Sequence, residues 1–322
     1  MAFVWCALGL LLLIGGAELV VRGGTHVAAR FGVSPLVIGL TFVAIGTSAP
    51  ELAVGIDSAL RGQGDLAVGN IAGTNVVNIL LILGLSALLR PLAIQGQTVR
   101  FDLPAIVVAS LLLLALAWDR SLTRIDGLVL TGCGIAYTLA LLRVARVESR
   151  DPAPTLTDEL VEEFDKAGGV STGRSLAMLF AGIAVIVLGA EWLVDGAVAL
   201  ARQWRVSEAF IGLTIVAIGT SAPELVTTVI STIRNNRDIA IGNLLGSSIY
   251  NILIILGVTC LVPAQAIRVG PNLAAIDIPL MTAVAFVCVP AFVTGRCLSR
   301  LEGGLFVVAY GAYLSFLIAT RS

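Results

Sequence analysis

Residues 39–84 and 212–257 align at a constant offset of 173 without a gap, and 26 of the 46 positions are identical. The first copy reads "GLTFVAIGTSAPELAVGIDSALRGQGDLAVGNIAGTNVVNILLILG", the second "GLTIVAIGTSAPELVTTVISTIRNNRDIAIGNLLGSSIYNILIILG". One chain must therefore build the same substructure twice. Weaker echoes widen the match: "GAELV" at 16–20 answers "GAEWLV" at 189–194 through Glu18 and Glu191, and "DLP" at 102–104 answers "DIP" at 277–279 after a two-residue shift. The period is too long for a solenoid, whose units run to about 20–50 residues.

The surroundings of the repeat say where it folds. Hydrophobic residues make up 57% of the chain and charged ones 13%, with a mean hydropathy of +0.99. The apolar residues fall in stretches of about 20, enough to span a bilayer core. Ten spans are expected, near residues 3–22, 35–60, 66–89, 102–118, 125–145, 175–200, 208–233, 238–261, 274–294 and 302–319. The first has no basic leader and no cleavage signal, and reads as a span. The fold class is thus an all-α polytopic membrane protein with broken helices at the midplane. Its parts are a first five-helix repeat (1–145), a polar linker (146–174) and a second five-helix repeat (175–322). Five spans per half is an odd number, so the second half must enter the membrane in the opposite sense. That inverted repeat is the plan of many secondary transporters.

Basic residues orient it. With the N-terminus outside, inside loops carry 13 of the 20 Lys and Arg and outside loops 7, which favours both termini outside and the 146–174 loop in the cytoplasm. That loop, with Pro152, Pro154 and an acidic cluster (Asp158, Glu159, Glu162, Glu163, Asp165), is too polar to form a core and reads as a solvated linker. A net charge of −1 offers nothing to a nucleic acid. The five cysteines form no CxxC pair and read as small buried hydrophobes. His26 is expected in an interfacial loop beside Arg22 and Arg30.

The centre of each repeat holds "GTSAPEL", at 46–52 and 219–225. Pro50 lacks an amide hydrogen and its ring clashes with the carbonyl of Gly46, so the helix must break there, as it must before Pro223. Carbonyls freed around Ala44 and Gly46, and around Ala217 and Gly219, are intolerable in lipid unless something satisfies them. A cation can. Thr47 and Ser48 stand one turn from Glu51, and Thr220 and Ser221 one turn from Glu224. On the following helices Asn70, Thr74 and Asn78 recur every four residues, as do Asn243, Ser247 and Asn251. Gly69, Gly73, Gly242 and Gly246 would let backbones approach there. No Lys or Arg lies in these cores, so two mid-membrane carboxylates must stay protonated or draw counter-charge from solution. An oxygen-only donor set suits hard cations, Ca²⁺ or Na⁺.

Taken singly each piece has a plainer reading: Thr and Ser back-bond to their own helix, and Asn and Gly mediate helix packing. Duplication around a post-proline glutamate is what lifts Glu51 and Glu224 above it. Glu18 and Glu191, near expected helix ends, read as structural, Asp57 as a solvated mouth residue, and Asn70 and Asn243 as braces of a helix break. A channel would need polar residues along a whole pore. An intramembrane enzyme would need a nucleophile–base pair or a metal motif such as HExxH, which one histidine cannot supply.

The paired "GTSAPE" and "GN..G.N..NI" / "GN..GSS..NI" blocks resemble the two alpha-repeats of the sodium/calcium exchanger family, in its compact prokaryotic form, over essentially the whole chain. The resemblance implies ten helices, alternating access, Ca²⁺ and Na⁺ as substrates in a cell membrane, and no resident cofactor. It implies central carboxylates at Glu51 and Glu224, hydroxyl ligands at Thr47, Ser48, Thr220 and Ser221, and carbonyl ligands at Ala44 and Ala217. Thr74, Asn78, Ser247 and Asn251 match the remaining ligand positions. Some members carry an aspartate at the position of Asn78 or Asn251. Here both are Asn, which opens the choice of coupling ion, Na⁺ or H⁺.

Overall fold

A computed structural model describes residues 2–148, 171–204 and 217–321. Helix α1 (Ala2–Phe31) runs on past the expected end of the first span, because no breaker intervenes before Gly32, whose φ of 63° and the Pro35 beyond it end the helix. His26 therefore lies inside a helix and not in a loop, and Glu18 sits in mid-helix and not near an end. Helices α2 (Pro35–Thr47) and α3 (Ala49–Leu60) form one span bent by 42°, followed by α4 (Gly64–Leu89), α5 (Thr98–Asp119) and α6 (Arg124–Glu148). The second half contributes α7 (Thr172–Gln203), α8 (Ala217–Thr220), α9 (Ala222–Ile233), α10 (Arg237–Leu261), α11 (Leu273–Val293) and α12 (Arg300–Arg321). Eight helices are long and apolar enough to cross a membrane, and the bent pair makes a ninth among the described residues. The first part of the expected span at 208–233, before Ala217, and most of the 146–174 linker lie outside the described residues.

The protein is a polytopic α-helical membrane protein whose centre is α4 and α10. Of their apolar windows 78% and 83% are buried, against 17% to 50% for the other unbroken spans. Helices α1 and α7 stand to one side with a small core of their own built on Leu13, Ala17, Leu179 and Ile186. They pack antiparallel through glycines spaced by seven. A Cβ on Gly16 would lie 2.9 Å from the Gly182 carbonyl oxygen, and one on Gly189 would lie 2.9 Å from the Gly9 oxygen and 2.8 Å from the Leu13 nitrogen. Backbone cannot yield as a side chain can. Gly189→Leu is therefore expected to cost at least the ~1–3 kcal/mol of ordinary overpacking, seen as a lower melting temperature and a smaller monodisperse peak in detergent. Gly15→Leu, where a Cβ meets nothing within 4 Å, should match the parent; equal behaviour of the two variants would refute the packing account.

The repeat is visible in fine structure. π-Helical turns occupy Val77–Leu83 and Asn251–Leu256, 173 or 174 residues apart, and Thr98–Asp102 and Leu273–Asp277, 175 apart. Two short antiparallel ladders join the halves. Strand β1 (Leu92–Ala93) pairs with β4 (Cys297–Leu298), and β2 (Ser121–Leu122) with β3 (Ile267–Arg268). A shift of 175 turns β1 into β3 and one of 176 turns β2 into β4, so each ladder is the image of the other. Side-chain bonds fall into the same two groups of loops. Arg90 donates to Asn235 (3.1 Å) and Arg30 to Thr172 (3.1 Å) on the β1–β4 side, while Arg124 donates to the Pro263 carbonyl (2.9 Å) on the β2–β3 side.

Candidate cation site

The break in the first half falls at Ser48, whose ψ of 11° leaves the helical run, with Pro50 in the first turn of α3. The second half repeats it at Ser221, with ψ of 6° and Pro223 in the first turn of α9. A proline is tolerated in a first turn because the amide it removes would be unpaired there anyway. Both glutamates thus stand at N-terminal turns of half-helices, facing the protein centre, and both are fully buried.

Around Glu224 the elements of both halves meet. The Ser48 hydroxyl donates to Glu224 Oε1 at 3.1 Å. The Ser247 hydroxyl stands 3.4 Å from both Glu224 Oε1 and the Ala44 carbonyl oxygen, so its single proton serves one at a time. Thr47 donates to Asn243 Oδ1 at 3.1 Å and lies 3.5 Å from Ser247 Oγ. Asn243 in turn donates to Thr228 Oγ1 at 3.1 Å and the Glu224 carbonyl oxygen at 3.5 Å, tying α10 to both broken helices. This approach needs Gly246: a Cβ there would meet the Ala44 Cβ and the Leu40 oxygen, each at 2.7 Å. Positions 209 and 213, which the repeat sets opposite Gly69 and Gly73, fall outside the described residues.

Around Glu51 the picture differs. Among the described residues neither carboxylate oxygen has a hydrogen-bond partner, nor do Ser221 Oγ, Glu224 Oε2, or either amide atom of Asn78 and Asn251. Asn78 and Asn251 are fully buried at the start of their π-helical turns, and Thr74 is buried on α4. Helix α8, which carries Ala217 and Thr220, packs against the Gly64–Val76 segment of α4. The structure so brings Ala44, Thr47, Ser48, Glu224 and Ser247 into one hydrogen-bonded group. Among the described residues every buried charged side chain is acidic (Glu51, Asp102, Glu224, Asp277), so no buried base compensates either glutamate. Unpartnered buried oxygens are scarce in folded proteins, and this concentration of them fits a cation as their partner.

Sequence reasoning passed over several residues here. Thr228 anchors Asn243, and Thr227 and Ser231 continue its line of buried hydroxyls; the alternation in "PELVTTVISTI" carried that signal. Asp102 accepts from Tyr137 (3.1 Å) and Asp277 from Tyr313 (3.3 Å), each in a π-helical turn. Their shared DxP motif marked the repeat, yet nothing in it announced burial.

The family described as "Sodium/calcium exchanger protein" matches residues 1–143 and 174–319. The inner membrane protein YrbG of Escherichia coli is 39% identical over 79% of the chain and 78% of its own length. The putative antiporter CaxA of Alkalimonas amylolytica is 35% identical over 99% of both, and the sodium/calcium exchanger MaX1 of Methanosarcina acetivorans 29% over 98% of both. A solved structure of the sodium-calcium exchanger NCX_Mj, soaked with Na⁺ and Sr²⁺, superimposes with a TM-score of 0.83 at 27% identity, covering all of both chains. Fold, repeat and site chemistry agree with these matches: the chain belongs to the sodium/calcium exchanger family of membrane antiporters.

Proposed function

We propose that the protein exchanges Ca²⁺ for Na⁺ across a cell membrane by alternating access, with the ions held between Glu51 and Glu224. One observation carries this reading: two fully buried glutamates stand at duplicated helix breaks amid oxygen donors, with no buried base among the described residues. The proposed ligands are the Glu51 and Glu224 carboxylates, the hydroxyls of Thr47, Ser48, Thr74, Thr220, Ser221 and Ser247, the amides of Asn78 and Asn251, and the carbonyls of Ala44 and Ala217. MaX1 is named a sodium/calcium exchanger, and NCX_Mj was studied with Na⁺, Ca²⁺ and Sr²⁺, which supports these substrates. Half-helix N-termini favour the anionic form of a nearby carboxylate, and a divalent ion between two carboxylates restores neutrality.

A second reading couples Ca²⁺ to H⁺. Its support is Glu51, whose two carboxylate oxygens receive no hydrogen bond and would accept a proton without displacing a donor. Proteoliposomes loaded with Na⁺ should take up ⁴⁵Ca²⁺ when diluted into Na⁺-free medium, at least tenfold faster than vesicles with only an outward H⁺ gradient. The reverse ranking would transfer the proposal to H⁺.

Residues 1–145 and 175–322 are proposed as the two inverted halves, with 146–174 as a cytoplasmic linker, and the two mirror-image loop groups support this division. In a variant lacking the native cysteines, single cysteines at positions 158–165 and near Arg30 should react with impermeant reagents only from the cytoplasmic side. Cysteines near Gly62 and Arg205 should react only from outside. Same-side labelling of Gly62 and the linker would refute the arrangement.

A further inference from the structure

Helix α9 has two unlike faces. Ala222, Val226 and Ile230 pack with the core of α1 and α7. At 100° per residue, Glu224, Thr227, Thr228 and Ser231 fall together on another stripe, and all four are fully buried. Thr228 accepts from Asn243. Among the described residues Thr227 Oγ1 and Ser231 Oγ have no hydrogen-bond partner. Helix α4 packs against α9 and runs in the same direction, from Asn78 to Arg90, which bonds Asn235 just beyond the end of α9. It adds Ser86, also fully buried with an unpartnered hydroxyl. The wide π-helical turn at Val77–Leu83 retards the register, which brings Ser86 round toward the side of Asn78. A seam of buried hydroxyls thus leads from Asn78 and Glu224 to one membrane face.

The ordinary fate of such hydroxyls is a bond to their own helix. Their neighbours accept that fate: Thr232 bonds the Thr228 carbonyl at 2.8 Å, and Thr259 the Ile255 carbonyl at 2.7 Å. Thr227, Ser231 and Ser86 do not. The corresponding seam of the other half is built differently. At the offset of 173, Thr227 becomes Val54, Thr228 becomes Gly55 and Ser86 becomes Thr259, while Ser231 keeps its hydroxyl as the buried Ser58. Thr259 is satisfied, and a Cβ on Gly55 would lie 2.8 Å from its oxygen, so that seam is filled. The hydroxyls of Thr227 and Thr228 thus have no counterpart in the other half, and Thr259, unlike Ser86, is bonded to its own helix; packing shared by the two halves does not call for that difference.

We propose that the α4–α9 seam, lined by Thr227, Ser231 and Ser86, is the passage that hydrates to admit the exchanged cations to Glu224 and Asn78 from the face bearing Arg90 and Asn235. This rests on the exchange reading above. The seam is closed in this structure. When α4 and α9 part, an apolar lining would meet water unfavourably, whereas free hydroxyls replace part of an entering ion's hydration and lower the barrier. The three residues are positioning residues for ion entry and do not belong to the central ligand set.

The test combines flux, binding and labelling on the full-length protein. The triple variant Thr227→Val, Ser231→Ala, Ser86→Ala should lower the initial rate of ⁴⁵Ca²⁺ exchange in proteoliposomes at least tenfold, while equilibrium ⁴⁵Ca²⁺ binding to the purified protein stays within twofold of the parent. In a cysteine-free variant, Thr227→Cys and Ser231→Cys should react with a charged methanethiosulfonate reagent from the Arg90 face only, and Val54→Cys should react at least tenfold more slowly from either face. Parent-like flux in the triple variant, or flux and binding lost together, would overturn the proposal, as would absence of labelling at both 227 and 231. If the parent itself moves no Ca²⁺, the exchange reading fails, while labelling still decides whether the seam hydrates.

Discussion

Glu51→Gln and Glu224→Gln are each expected to bring ⁴⁵Ca²⁺ exchange down at least ~100-fold while leaving a folded, monodisperse protein. The amide keeps the shape and can still accept the Ser48 hydroxyl that lies 3.1 Å from Glu224 Oε1, so packing survives. What changes is charge. Each substitution removes one of the two carboxylates facing the ion, in a region where no buried base lies among the described residues. Removing one partner of a buried ion pair typically costs about 3–5 kcal/mol, and every 1.4 kcal/mol is about tenfold in affinity. A second readout separates binding from motion. Saturating Ca²⁺ raises the melting temperature of a protein that binds it only when folded, and that rise should vanish in both variants. Exchange within threefold of the parent in either one would remove that carboxylate from the site.

The legible part of the site was local. A proline four residues after a glycine breaks a helix in any tertiary setting, so the bend between α2 and α3 and its copy at Ser221 could be read from seven letters. The spans followed from apolar length, with ends mostly within a few residues. α1 is the exception, because its polar letters around Arg22 and His26 look like a loop, yet the helix continues until Gly32. Less legible was whatever depends on how helices turn against one another. π-Helical turns at Asn78 and Asn251 have no compositional mark, and they re-aim every side chain that follows. Asn243 bridges Thr47 and Thr228 because α10 approaches α2 at Gly246, and no spacing along one helix contains that meeting. The four buried acids look alike in sequence, but Asp102 and Asp277 end up bonded to tyrosines from α6 and α12, while Glu51 is left with none.

Exchange by the parent protein is expected to depend only weakly on membrane voltage, and Asn251→Asp is expected to change that. The two glutamates supply two negative charges, which one Ca²⁺ neutralises, as do two Na⁺ or two H⁺. A third Na⁺ would leave one uncompensated positive charge, and at 4 Å from its neighbours with an effective dielectric of about 20 each like-charge repulsion is worth about 4 kcal/mol. Asn78 and Asn251 are fully buried and neutral, with both amide atoms unpartnered; their oxygens can coordinate an extra ion but bring no charge to it. Asn251→Asp keeps nearly the same volume and adds that charge, so Na⁺ should bind more tightly and the Na⁺:Ca²⁺ ratio should rise, making each cycle move net charge. The measurement is ⁴⁵Ca²⁺ flux in proteoliposomes at potentials clamped with K⁺ and valinomycin. A nearly flat dependence in the parent and a steep one in Asn251→Asp agree with two acidic ligands. Flux steeply driven by voltage in the parent would mean that neutral oxygens, those of Asn78 and Asn251 foremost, already hold a third cation unaided.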